Sequence, residues 1–236
     1  MHYLPAEKDR LRMGLLFRYA RGLLRRRFFS IALYSDLESF GAEEDFPLIL
    51  FGNHSSWWDG LMETLLFERL QLDYYVMMEA RNLRKFSYFQ KTGVFGVDLE
   101  SREGRSQGLL YAARLLREKS PRRTLLLYPH GRLVTEVEEW PPFASGLHGL
   151  LRLIENARAR PYAKRLLLGK YPRPEAFLRI GPPVERGPEG EAPPTAVLEE
   201  ALRVTYGQLT ADIARDSAED RIWLQRPPRR WLGKTD

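Results

Sequence analysis

The chain contains four histidines, His2, His54, His130 and His148, and no cysteine. Its acid–base chemistry near neutral pH therefore rests on imidazole, while thiolate nucleophiles, disulfides, thiol redox and thiolate metal sites are excluded. His54 has the most informative surroundings: Phe51-Gly52-Asn53-His54-Ser55-Ser56-Trp57-Trp58-Asp59-Gly60. It follows an apolar run, Pro47–Gly52, and Asp59 stands five residues on, where a helix is expected to begin. In α/β sheets, ligands collect beyond the carboxyl ends of strands. A carboxylate on one imidazole nitrogen fixes the tautomer and leaves the other nitrogen to act as a base. The spacing also admits a plainer reading, with Asp59 capping its helix and His54 satisfied within a turn. Trp57 and Trp58 lie between the pair, either lining a substrate channel or packing between helix and sheet.

The order of motifs along the chain narrows this choice. Gly-Asn followed by His54-x4-Asp59 resembles the signature block of the glycerolipid acyltransferases, which include glycerol-3-phosphate and lysophosphatidate acyltransferases. Gly93-Val94-Phe95-Gly96-Val97-Asp98-Leu99 is similar to that family's second block, and Tyr128-Pro129-His130-Gly131-Arg132 to its third. Phe143-Ala144-Ser145-Gly146 resembles the family's entry into the next helix. The similarity runs from about Phe46 to Ile180, more than half of the chain.

The resemblance implies a glycerol-3-phosphate acyltransferase-like fold and direct acyl transfer from an acyl thioester, on coenzyme A or acyl carrier protein, to an acceptor hydroxyl. It implies His54 as general base and Asp59 as its orienting carboxylate. It places Asn53, His130, Gly131 and Arg132 around the substrates, with backbone N–H groups near Gly131 holding the thioester or its oxyanion; Trp57 and Trp58 join them if they line a channel instead of packing in the core. No covalent intermediate, metal or resident cofactor is implied. Three departures stand out. Leu99 occupies the position of an Arg that grips the acceptor's phosphate in the family, His130 that of a Glu, and Arg132-Leu133 that of Thr-Arg. Arg102 and Arg105 are the nearby candidates to replace the missing guanidinium, or else solvated helix residues. The acceptor expected is a lysophospholipid, lysophosphatidate, glycolipid or another amphiphile with a free hydroxyl.

The elements that must position these residues alternate. Strands are expected at Pro47–Gly52, Asp73–Met78, Val94–Leu99, Thr124–Tyr128, Lys164–Leu168 and Ala176–Ile180. Helices are expected at Gly60–Leu70, Asn82–Gln90, Ser101–Lys119, Ser145–Ala159 and Pro194–Ala214. That pattern predicts an α/β fold with a mixed, mostly parallel sheet flanked by helices. Met13, Leu16, Phe17, Ala20, Leu24, Phe28 and Ile31 share one face of an N-terminal amphipathic helix, suited either to a membrane interface or to packing on its own domain. The expected organisation is a basic helical segment and linker at 1–45, the α/β domain at 46–220, and a basic tail at 221–236.

Charge location supports that division. The net charge is +6 overall, but residues 1–35 alone carry +6, residues 36–220 carry −4, and residues 221–236 carry +4. A general nucleic-acid-binding surface is not expected on a mildly acidic body with no recognisable module. The expected partners are an anionic membrane surface, acyl-CoA or acyl carrier protein, and a lipid acceptor. The expected location is cytoplasmic, peripheral on the inner face of the membrane, since no apolar run approaches a bilayer span. Two other functions compete: a non-catalytic lipid-binding protein on the same fold, and a metal-dependent hydrolase using His54, Asp59, His130 and His148. The latter lacks the close His pairs of such sites.

Overall fold

The apolar run Leu48–Gly52 is buried at every residue because it lies at the centre of a wide sheet with helices on both faces. The computed structural model describes residues 3–35, 46–134, 140–215 and 221–228. In chain order the elements are β1 (Tyr3–Leu4), α1 (Arg10–Arg27), β2 (Ser30–Tyr34), β3 (Leu48–Gly52), α2 (Asp59–Leu70), β4 (Asp73–Glu79) and α3 (Ala80–Lys85). A 3₁₀ segment (Ser87–Thr92) leads into β5 (Val94–Val97), α4 (Arg102–Arg117), β6 (Arg123–Leu127) and α5 (Gly146–Leu153). The chain continues through β7 (Arg158–Leu167), β8 (Glu175–Ile180), α6 (Thr195–Arg215) and β9 (Arg221–Gln225).

The strand order is β1-β5-β4-β6-β3-β7-β8-β2-β9. β5, β4, β6, β3 and β7 run parallel, as do β8 and β2, with antiparallel joints at β1–β5, β7–β8 and β2–β9. The expected α/β class with a mixed, mostly parallel sheet is the observed one. Alternate residues of β3 feed two cores. Ile49 and Phe51 join Leu125, Leu127 and the inner faces of α4, α5 and α6, while Leu48 and Leu50 join Leu126 and helices α1 and α2. Each fully buried Leu or Phe in these layers contributes about 1.5–3 kcal/mol.

The expected N-terminal and C-terminal appendages are instead parts of the sheet. α1 ends at Arg27, and its Leu16, Ala20 and Leu24 are buried in the core shared with α2. Ile31 belongs to β2, which pairs with β8 and β9, and residues 221–225 form β9 itself. The sequence disguises β2 because Phe28 and Ile31 continue the 3.6-residue period of α1. The linker expected at 36–45 and the tail residues 229–236 lie outside the described residues.

The helix expected to run to Ala159 stops at Leu153, where Ile154 turns extended. β7 then opens with Arg158-Ala159-Arg160-Pro161, which has little strand character. Arg160 is nevertheless buried, donating to the carbonyl of Gly181 at 3.2 Å. α4 starts as expected, with the Ser101 hydroxyl accepting the Gly104 N–H at 2.9 Å.

Candidate active site

β3 delivers His54 two residues past its carboxyl end. The approach requires Gly52: a Cβ there would sit 2.5 Å from the Tyr162 carbonyl oxygen on β7. The turn then folds back on itself. Asp59 Oδ2 accepts the backbone N–H groups of Ser55 at 2.8 Å and Ser56 at 3.2 Å, and lies 2.8 Å from His54 Nδ1. These bonds run backward to the turn, so the carboxylate orients the imidazole instead of capping the helix that Asp59 begins. No described residue bonds to Nε2, and the ring is 31% exposed. The tautomer with Nδ1 protonated leaves Nε2 as a base facing outward.

Behind the imidazole lies a buried charge cluster. Lys164, on β7, reaches Asp59 Oδ2 at 2.9 Å, Glu63 Oε1 at 2.7 Å and the Tyr128 hydroxyl at 3.1 Å, which matches the three donors of an ammonium group. The Tyr128 hydroxyl in turn donates to Glu63. Asp59, Glu63 and Lys164 are all at most 1% exposed. Burial pushes the Asp59 carboxyl up, but the Lys164 charge and the hydrogen bonds from His54 and Lys164 outweigh it and hold the group below its ordinary value. Glu63 goes the other way: burial and the neighbouring Asp59 charge raise it despite Lys164. The cluster thus favours the charged form of the carboxylate that touches His54 and disfavours that of Glu63.

Two further contacts fix the ring. The Tyr128 side chain stacks under His54 with ring centroids 4.4 Å apart and planes 9° from parallel. The backbone carbonyl of His54 accepts the Val134 N–H at 2.7 Å, tying the β3 loop to the loop after β6. Glu63 was available to sequence reasoning, because it follows Asp59 by one helical turn on the same face. Lys164 carried no such signal, being a single base within a strand.

A solved structure has this arrangement of elements: the 1-acyl-sn-glycerophosphate (LPA) acyltransferase PlsC from Thermotoga maritima. It aligns over 87% of this chain and 81% of its own, with a TM-score of 0.59 and 16% sequence identity. The two proteins share a fold. No protein-family model and no curated protein sequence matches the chain.

On this fold the other expected site residues separate. Asn53 is buried, and its amide clamps β7 by donating to the Lys164 carbonyl at 3.0 Å and accepting the Lys164 N–H at 2.9 Å. Trp58 packs edge-on against Phe28 at 5.5 Å, whereas Trp57 is 68% exposed beside His54. His130 is enclosed by Trp140 and Phe143, with ring centroids at 5.1 and 4.9 Å, and does not meet His54. Burial there lowers it to about 4. The Gly131 N–H, expected to face a thioester or oxyanion, closes a turn onto the Tyr128 carbonyl at 3.0 Å. Arg132 is exposed beyond that turn.

Arg102 is also exposed, while Arg105 donates to the Leu99 carbonyl at 2.7 Å and so holds its own loop. Both follow β5, three strands from β3 and therefore roughly 14 Å along the same sheet edge. His148 bonds through Nδ1 to the Pro193 carbonyl at 2.9 Å, as a structural residue does. Among the described residues no three His, Asp or Glu side chains converge to hold a metal ion, and no helix is long and apolar enough to cross a membrane.

Proposed function

We propose that the protein is a peripheral-membrane O-acyltransferase that moves an acyl chain from acyl-CoA or acyl carrier protein to the hydroxyl of a lipid acceptor. The observation that carries this reading is the His54–Asp59 pair, with an outward Nε2 at the carboxyl edge of the sheet, on a fold shared with a lysophosphatidate acyltransferase. In the reaction Nε2 takes the acceptor's hydroxyl proton as its oxygen attacks the thioester carbonyl. The tetrahedral centre collapses with loss of the carbon–sulfur bond, and the imidazolium returns the proton to the departing thiolate. Asp59 holds the tautomer and stabilises the imidazolium, while Lys164 and Tyr128 hold Asp59 and the ring in place. The acceptor class, a lysophospholipid, lysophosphatidate or glycolipid, follows from the resemblance and not from a phosphate-gripping Arg at position 99.

The membrane contact is also a proposal, and the fold moves it. The predicted apolar face of α1 is core, yet Leu11, Leu15 and Tyr19 form a second, exposed stripe along the same helix, beside exposed Arg12 and Arg18. Apolar side chains with flanking guanidinium groups suit the interface of an anionic leaflet, which supports a location on the inner face. Replacing Leu11, Leu15 and Tyr19 by Ser is expected to weaken sedimentation with anionic vesicles severalfold. Unchanged sedimentation removes α1 from the interface.

The direct test is acyl transfer from labelled acyl-CoA to a lipid extract, with the product identified by mass spectrometry. His54→Ala is expected to lower turnover by about 10² to 10⁴-fold with unfolding unchanged. Transfer at the wild-type rate in that variant would falsify the assignment.

A further inference from the structure

A cavity of about 440 Å³ opens between α1, α2 and the end of β9, with Arg21, Arg25, Leu65, Gln225 and Arg226 in its lining. The sheet register fixes its position. Gln225 is level with Ile31, Ile31 with Ala176, and Ala176 with Leu166, four residues past the Tyr162 that pairs with Gly52. The cavity therefore opens at the same sheet edge as His54. Gln225 Nε2 donates to the Phe28 carbonyl at 3.0 Å, and the Phe28 ring packs against Trp58 of the His54 turn. β9 is four strands from β3, roughly 19 Å along the edge. Leu65 is six residues after Asp59 on α2, about 9 Å along the helix.

Its chemistry is cationic and incomplete. Arg21 is balanced by Glu68 at 2.6 Å, but Arg25 and Arg226 have no acidic partner among the described residues. Arg173 donates to the carbonyls of Arg25 at 2.6 Å and Arg26 at 3.4 Å, at the α1 C-terminus. Gln225 is only 9% exposed, yet its Oε1 has no hydrogen-bond partner. Guanidinium groups favour a phosphate through paired N–H donors, and an unmet buried carbonyl oxygen asks for a hydroxyl or amino donor.

We infer that this cavity binds a phosphate ester carrying a neighbouring hydroxyl group, held by Arg25 and Arg226 and completed by Gln225. Two molecules of a thioester-to-lipid reaction have that chemistry. One is the ribose phosphate end of a coenzyme A donor, whose pantetheine arm spans a distance of this order; the other is a glycerophosphate headgroup. In naming the ligand class the inference rests on the proposed acyl transfer, but the cavity can be tested without turnover.

The experiment measures equilibrium binding to the His54→Ala protein, which removes catalysis and leaves this cavity intact. The probes are adenosine 3′,5′-bisphosphate and hexanoyl-lysophosphatidic acid, which keeps a free glycerol hydroxyl, below its micelle concentration. At least one probe is expected to bind, with affinity that weakens as salt rises. Combining Arg25→Ala with Arg226→Ala is expected to weaken that binding about tenfold or more, with thermal unfolding unchanged. Preference for the nucleotide assigns the cavity to the donor, and preference for the lipid assigns it to a headgroup. The inference is overturned if neither probe binds, or if the double variant binds as well as its parent. Binding that persists while the wild-type protein shows no acyl transfer in any screen sinks the proposed function and leaves the cavity assignment standing.

Discussion

Two histidines follow parallel strands of one sheet, two or three residues past the strand ends, and their surroundings make them opposites. His54, after β3, has a buried carboxylate on Nδ1, an aromatic ring beneath it and an open Nε2. His130, after β6, is packed against Trp140 and Phe143, and its Nδ1 is buried with no partner. The glycines beside them differ in the same sense. Gly52 is required by the near contact with Tyr162, whereas a Cβ at Gly131 would meet nothing, and that residue's φ of 67° is what favours glycine. The position of a histidine at a strand end is thus insufficient for chemistry. The second requirement is a charge that the fold has placed on one nitrogen, and only the β3 loop has it.

The largest expected effect comes from removing that charge. Asp59→Asn should lower acyl transfer by about 10² to 10⁴-fold, because the amide no longer stabilises the imidazolium, while His130→Phe should leave turnover within a few-fold. The charge cluster adds a stability arm. Lys164→Met leaves Asp59 and Glu63 buried without their shared cation and should cost about 3–5 kcal/mol in denaturant unfolding. Adding Glu63→Leu to Lys164→Met should recover part of that loss, without restoring turnover. Equal stability of the single variant and wild type would remove Lys164 from any account of how Asp59 is held.

Much of this was legible beforehand because it is local. The apolar run into Gly52, the turn of small polar residues and the five-residue step to Asp59 define one strand, one turn and one helix start, so the His54–Asp59 contact is written into ten consecutive positions. Glu63 continues the pattern by a helical turn. Lys164 enters from a strand 101 residues downstream of Glu63, and only the pairing of β3 with β7 brings it in. The sheet edges were hidden for another reason. β2 continues the helical period of α1, and β9 is a five-residue run, Arg221 to Gln225, continuous with the Arg- and Pro-rich residues that follow it, so neither shows strand alternation. Asn53 gives no local signal of its place in the fold: a polar residue beside a catalytic candidate suggests substrate contact, and its amide clamps the Lys164 backbone from a strand far along the chain.

The glycines give an intermediate test of the same contrast. Gly52→Ala must push β3 away from β7 beneath His54 and should destabilise by about 1–3 kcal/mol. Turnover should fall with it, because the shift moves the imidazole. Gly131→Ala meets only the backbone strain of a left-handed residue, about 1 kcal/mol, with turnover preserved. Equal losses of turnover in the two variants would mean that the β6 loop participates in the chemistry after all.

The smallest effect is a pH dependence confined to His130. Burial lowers its pKa from 6.5 to about 4, with Glu199 opposing the shift and Arg203 and Arg132 adding to it. In the unfolded chain the imidazole takes a proton as pH falls through 6.5, while the folded protein resists until about 4. The unfolded state therefore binds more protons across that window, and stability is lost as pH falls through it, levelling off below about 4. His130→Phe removes this contribution, so wild type should lose stability more steeply than the variant between neutral pH and the lower limit. Denaturant midpoints for both proteins at several pH values measure the difference. A wild-type loss no larger than the variant's would mean that His130 is already open to water, and the contrast with His54 would then rest on the carboxylate alone.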